Sequence, residues 1–161
     1  MSEKNNAAER LKFVIDSNIA LDFLADRDFS RPSWRKLFLM GRIGEVELIM
    51  STSQVTDVAY ILTKGGRPSL ASKAKAQISR LNSCSRFVPL YENEVIAAIE
   101  SPWEDIEDSC VHEVAKRVQA EAIITRDKRD FARSSIKVFD ADELFDYLAR
   151  EKGLTYDFVP F

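Results

Sequence analysis

A three-layer α/β fold with a central, mainly parallel sheet of four to five strands is predicted by three observations. Short, nearly wholly apolar runs recur at residues 13–15, 48–50, 87–90, 122–125 and 137–139, and runs without polar alternation mark strands covered on both faces. Between them lie stretches with apolar residues at helical spacing, so strand and helix alternate as a parallel sheet requires. The chain has 161 residues, 45% of them hydrophobic, with only 5 Gly and 5 Pro, which suits one core in one domain.

The elements follow in order. Phe13-Val14-Ile15 is β-rich and stops at Asp16, which predicts a buried first strand after a polar tail over residues 1–12. Ile19, Leu21, Phe23 and Leu24, mixed with Asp22 and Asp26, fit a short helix. Ser30-Arg31-Pro32 reads as an N-cap and a first-turn proline, and the helix that follows carries Trp34, Leu37 and Phe38 and is expected to stop at Gly41. Leu48-Ile49-Met50 is the second strand.

Residues 53–64 put Val55, Val58, Ala59, Ile61 and Leu62 on one stripe before Gly65-Gly66-Arg67-Pro68 breaks the helix. Ser69 is expected to cap the next helix, running towards Leu81. A third strand is predicted at residues 87–90 and helices at 94–99 and 107–119, the longer one turning Val111, Val114, Ala115 and Val118 to the core. Strands at 122–125 and 137–139 and a helix at 142–150 complete a domain over residues 13–152. An apolar tail over 153–161, with Leu154, Tyr156, Phe158, Val159 and Phe161, offers either a partner surface or a return onto the core.

Composition excludes several classes. With 23 basic and 26 acidic residues the net charge is −3, so bulk positive charge does not coat nucleic acid, although a local basic groove remains open. No apolar run approaches the ~18 residues of a membrane span, and the first residues lack the apolar stretch of a secretory signal; a cytoplasmic protein with no membrane partner is expected. Cys84 and Cys110 have no metal-binding spacing and there is 1 His, which removes a sulfur and imidazole zinc site.

Ligands of such sheets sit at the carboxyl ends of the strands, where this chain places acids: Asp16 after the first strand, Asp127 after the fourth, and Asp105 with Asp108 near the start of a helix. One such acid alone is an ordinary turn or cap residue. Several in one cleft repel each other unless raised pKa values or a hard cation relieve them, and oxygen-only ligands suit Mg²⁺ or Mn²⁺.

Four stretches carry a family resemblance: Phe13-Val14-Ile15-Asp16-Ser17-Asn18-Ile19, then Ser51-Thr52-Ser53-Gln54-Val55-Thr56-Asp57-Val58, then Asp105-Ile106-Glu107-Asp108-Ser109, then Ile123-Ile124-Thr125-Arg126-Asp127-Lys128-Arg129-Asp130-Phe131. In that order, within one domain of alternating strands and helices, the chain resembles PIN domains, the nuclease domains of VapC-type toxins and their relatives. The resemblance implies a PIN-like fold and a ribonuclease using one or two Mg²⁺ or Mn²⁺ ions. It makes Asp16, Asp57, Asp108 and Asp127 the catalytic, metal-holding acids. Similar proteins usually carry Glu where Asp57 stands, so this shorter carboxylate reaches metal through water.

By the same resemblance Asn18 braces the acidic turn and Thr125 orients the site, while Asp105 belongs to an outer shell or caps the helix. Asp130 is the alternative to Asp127. Arg126, Lys128 and Arg129 are the candidates to position an RNA backbone, and Lys64, Arg67, Lys73, Lys75 and Arg80 form a second basic stretch that an ordinary solvated face explains equally well. An RNA substrate, a small antitoxin and a homodimer are the implied partners. A PIN-like module that no longer cuts, or a housekeeping RNA-processing nuclease, are the alternatives. A nucleotide-binding Rossmann domain is rejected because no G-x-G-x-x-G occurs; Asp16-Ser17-Asn18 likewise lacks the early acidic pair of receiver domains and the Asp-x-Asp of haloacid dehalogenases.

Overall fold

The structure, a computed structural model, describes residues 10–25 and 32–156. Asp26, Ser30, Arg31, Phe158, Val159, Phe161 and residues 1–9 lie outside the described residues. The strands are β1 (Lys12–Ile15), β2 (Glu47–Ser51), β3 (Arg86–Val88), β4 (Ala122–Ile124) and β5 (Lys137–Phe139). The helices are α1 (Ser17–Leu24), α2 (Pro32–Ile43), α3 (Thr52–Leu62), α4 (Ala71–Asn82), α5 (Glu92–Glu100), α6 (Ile106–Arg117) and α7 (Ala141–Lys152), with a 3₁₀ turn at Pro68–Leu70. The fold is α/β, its five strands parallel in the order β3-β2-β1-β4-β5.

Strand alternation divides the core. Phe13 and Ile15, Leu48 and Met50, Ala122 and Ile124 face one side, where Leu24, Leu37, Phe38, Val58, Leu81, Leu144 and Leu148 cover them. Val14, Ile49 and Ile123 face the other, under Val111, Val114 and Ala115 of α6. This period of two between helices on both faces is why the strand sequences are almost continuously apolar. Beside α6, α5 is held by Glu94, 3% exposed, whose Oε1 accepts from Arg117 Nε at 2.5 Å while Oε2 accepts the Tyr91 amide at 2.7 Å.

The structure corrects three element ends. α2 does not stop at Gly41 but continues to Ile43, and the chain turns at Gly44, whose φ is +78°. Gly41 is instead a close-approach position, since a Cβ there would stand 2.3 Å from the Cys84 carbonyl oxygen and 2.9 Å from Leu48 Cδ1. Ser69 does not cap a helix; it lies inside the 3₁₀ turn, and α4 starts after Leu70 with no side-chain cap. β3 also ends at Val88, ahead of Pro89, which has no amide to continue the ladder.

Cys84 and Cys110 are free and buried. At the other end, the Leu154 amide returns to the Leu148 carbonyl and Tyr156 packs edge-on against Phe145. Among the described residues no helix is long and apolar enough to cross a membrane.

Candidate active site

Strand order reverses between β1 and β4, and the residues that follow them meet at the carboxyl edge of the sheet, where such folds open a crevice. The Asp16 amide extends the ladder by donating to Ile124 O at 2.9 Å, and the Thr125 amide donates to Phe139 O at 3.0 Å. Gln54 Nε2, reaching from α3, donates to Ile15 O at 3.1 Å. Backbone pairing therefore fixes the base of the site.

Asp16 is 8% exposed and caps α1. Its Oδ1 accepts the Ser17 amide at 2.6 Å, and its Oδ2 accepts Asn18 Nδ2 at 2.6 Å and the Thr125 hydroxyl at 2.7 Å. The Thr125 hydroxyl oxygen in turn accepts the Asp127 amide at 3.0 Å and Asn18 Nδ2 at 3.2 Å, while Asn18 Oδ1 accepts the Arg126 amide at 3.3 Å. One net of hydrogen bonds thus joins the two loops across a separation of 109 residues between Asp16 and Thr125.

The third wall is the start of α6. Asp105 caps it, its Oδ1 accepting the amides of Glu107 at 2.7 Å and Asp108 at 3.3 Å. Ser17 donates from its hydroxyl to Glu107 Oε1 at 3.2 Å, which links this helix to the loop of Asp16. An open cavity of about 540 Å³ beside the cap is walled by Trp103, Asp105, Asp108, Arg129, Asp130 and Arg133 among others.

The acids share one electrostatic field. Burial, then Asp105, Asp16, Asp130 and Glu107, push the Asp108 carboxyl up to about 7. Burial raises Asp16 above the usual carboxylate range, with Asp130 adding to it and the hydrogen bonds from Thr125 and Ser17 working against it. Glu107 is raised by burial, then by Asp57 and, more weakly, by Asp16 and Asp105. Like charges at this spacing favour a bound proton or a cation.

The predicted residues divide. Asp16, Asp105, Asp108, Asp130, Asn18 and Thr125 come together. Asp57 is exposed on α3 and meets the cluster through Glu107. Asp127 and Asp130 are both exposed, but Asp130 stands on the cavity wall and Asp127 does not. Of the cations, Arg129 borders the cavity, Arg126 pairs with Asp22 and Lys128 with Glu143. Sequence reasoning gave no role to Glu107, Ser17, Gln54, Trp103 or Arg133. The acidic run Asp105-Ile106-Glu107-Asp108 was the one signal available for Glu107.

The donor chemistry suits a hard cation. All side-chain donors of the cluster are oxygens, and the imidazole of His112 is turned away, its Nε2 accepting the Ser135 amide at 3.2 Å. Among the described residues no three Asp, Glu, His or Cys side chains close into a ready-made cage. The set fits a Mg²⁺- or Mn²⁺-type ion by donor type and charge.

Comparison with known proteins places these features in a family. The PIN-domain family profile matches residues 12–129. Ribonuclease VapC1 of Aquifex aeolicus is 24% identical over 137 residues, covering 82% of this chain and 92% of that protein. Among solved structures, VapBC2 of Rickettsia felis, bound to a DNA fragment from its promoter, superposes with a TM-score of 0.63 at 12% identity over 81% of this chain and 98% of that one. VapC20 of Mycobacterium tuberculosis, a sarcin-ricin loop cleaving toxin, gives a TM-score of 0.56 at 12% identity over 75% of this chain and 94% of that one.

Proposed function

The chain belongs to the PIN-domain family, and on that premise we propose that it is a metal-dependent endoribonuclease of the VapC-like toxin type, acting on single-stranded or looped RNA. The observation that carries the reading is the junction of three chain segments: Asp16, locked by Ser17, Asn18 and Thr125, stands in the electrostatic field of Asp108 and Asp130 at the strand-order reversal. Asp16, Asp108 and Asp130 would hold one or two Mg²⁺ or Mn²⁺ ions, with Asp57 acting through water and Glu107 and Asp105 around them. A bound ion supplies an activated water and neutralises charge on the phosphodiester.

The chain's own residues hold the arrangement. Asn18 and Thr125 keep the Asp16 carboxylate in one orientation, so its position does not depend on the ligand. Asp105 fixes the first turn of α6 and with it the place of Asp108. Arg129 on the cavity wall offers the charge that an acidic pocket lacks for a phosphate backbone.

The test is Mn²⁺-dependent cleavage of a fluorescently labelled single-stranded RNA pool by wild type and Asp16→Asn, with EDTA controls. Asn is as good an N-cap as Asp, so the variant should fold and fail to cut. Cutting by wild type alone, abolished by EDTA, supports the reading. Equal cutting by both sinks the assignment of Asp16. No cutting by either supports the second reading, a PIN-like module that binds without cleaving, which the exposed position and short side chain of Asp57 favour.

An antitoxin and a second copy of the chain are the proposed partners, in the cytoplasm. Exposed Tyr60 and Ile61 on α3, and Ile96 and Ile99 on α5, support apolar patches on these helices that a partner covers.

A further inference from the structure

The cavity beside the acids has an aromatic wall that the nuclease reading leaves unused. Trp103 lies two residues before Asp105 and borders the same space as Asp108, Arg129 and Arg133. Its indole is half-buried and rests against the His112 imidazole, with ring centroids 5.1 Å apart and planes at 29°. Phe131 meets it edge-on at 5.8 Å and 75°. The backing is itself fixed, because His112 Nε2 accepts the Ser135 amide, and burial lowers the pKa of the imidazole. The Trp103 amide donates to Ser101 Oγ at 3.3 Å, and that hydroxyl pairs with Ser109 of α6 at 3.1 Å. Indole and acids therefore hold a set relation through one helix.

Packing alone explains the buried side of the ring, which closes the core layer under α6. It does not explain why the remaining surface borders a polar cavity lined by Arg129 and Arg133 as well as by Glu104, Asp105, Asp108 and Asp130. An aromatic face beside cations is the arrangement that binds single-stranded nucleic acid: the ring stacks on a base of any identity and the cations take the backbone. A cavity of about 540 Å³ has the size of pockets that enclose a small organic ligand, which suits a single nucleotide.

We propose that Trp103 is a base-stacking platform, on which an unpaired RNA base flanking the cleaved phosphodiester lies while Arg129 and Arg133 hold its phosphate. The statement about cleavage rests on the proposed nuclease activity, whereas the stacking does not. Trp103 is a positioning residue: it sets which nucleotide step lies over Asp16 and Asp108, and it admits unpaired bases more readily than a duplex.

Binding is measured in EDTA at low salt, so that cutting plays no part, by fluorescence anisotropy of a labelled single-stranded RNA. Trp103→Ala should weaken binding by about 5- to 150-fold, the range that stacking of one base supports. Trp103→Leu, which fills the core side without a π face, should lose affinity too, while Trp103→Phe keeps most of it. The chain has 2 Trp, so in a Trp34→Phe background the emission belongs to Trp103 and should be quenched by RNA along the same isotherm. An abasic oligomer of equal length should bind wild type and Trp103→Leu alike. Unchanged emission on RNA binding, or equal affinity of wild type and Trp103→Leu for the intact RNA, overturns the proposal even if the alanine variant fails to fold. Trp103-dependent binding by a protein that never cuts would leave the platform standing and remove the nuclease.

Discussion

Both oxygens of the Asp16 carboxylate are engaged, one by the Ser17 amide and the other by Asn18 and Thr125. A carboxylate held this way loses little freedom when it binds a ligand, and its neighbours carry the orientation. The same scale separates two acids that adjoin in sequence. Asp130 raises the carboxyls of Asp16 and Asp108 and walls the cavity, while the Asp127 amide is tied to Thr125 and its exposed side chain is not part of that wall. Asp130→Asn should therefore reduce metal-dependent cutting by roughly 100-fold or more, against less than about 10-fold for Asp127→Asn, measured as initial rates on one RNA. The reverse order would return the fourth position to Asp127.

Elements set where those residues can be. Capping by Asp16 and Asp105 starts α1 and α6 at the same edge of the sheet, so the residues that begin the helices also line the site. Their dual use explains why the sequence pattern alone left Asp105 open between cap and ligand shell. Gly41 works on packing: α2 lies so close to the Cys84 carbonyl that a methyl group has no room. Gly41→Ala gains about 1 kcal/mol of helix propensity but must displace backbone, which typically costs about 1–3 kcal/mol or more. The variant should melt several degrees below wild type, and an unchanged melting temperature would show that α2 and the turn carrying Cys84 can part without cost.

For the whole molecule the clustered acids tie stability to pH. Asp108 titrates at about 7 in the folded protein against 3.8 for the free group, so the fold binds a proton that the unfolded chain releases. The resulting penalty is fully present above about pH 7 and fades as pH falls towards 4. Metal-free Asp108→Asn, which lacks this charge, should melt roughly 3 °C or more above wild type at pH 8, with the difference shrinking by pH 5. His112, whose pKa burial lowers, weakens both proteins alike below its unfolded value, so the difference isolates Asp108. Mn²⁺ at pH 8 should raise the wild-type melting temperature more than that of the variant. Parallel curves for the two proteins at all pH values would mean that neither burial nor the neighbouring acids raise the Asp108 carboxyl.

Short apolar strands and the acids that end them are local properties, and they are legible because a covered strand needs uninterrupted apolar residues and its first exposed position is polar. The sequence by itself thus determined an α/β chain with Asp16 at a strand end and Asp105 and Asp108 at a helix start. Only the tertiary structure decided which side chains share the site, because contacts such as Ser17 with Glu107, 90 residues apart, follow from strand order rather than spacing. It set Asp130 on the cavity wall, beside Phe131, which is buried in the layer under α6, whereas a strand-end rule favours Asp127. It also placed Trp103 and Arg133 on the cavity wall, positions that no local pattern marks, because an aromatic or a cation acquires a partner only when distant segments pack.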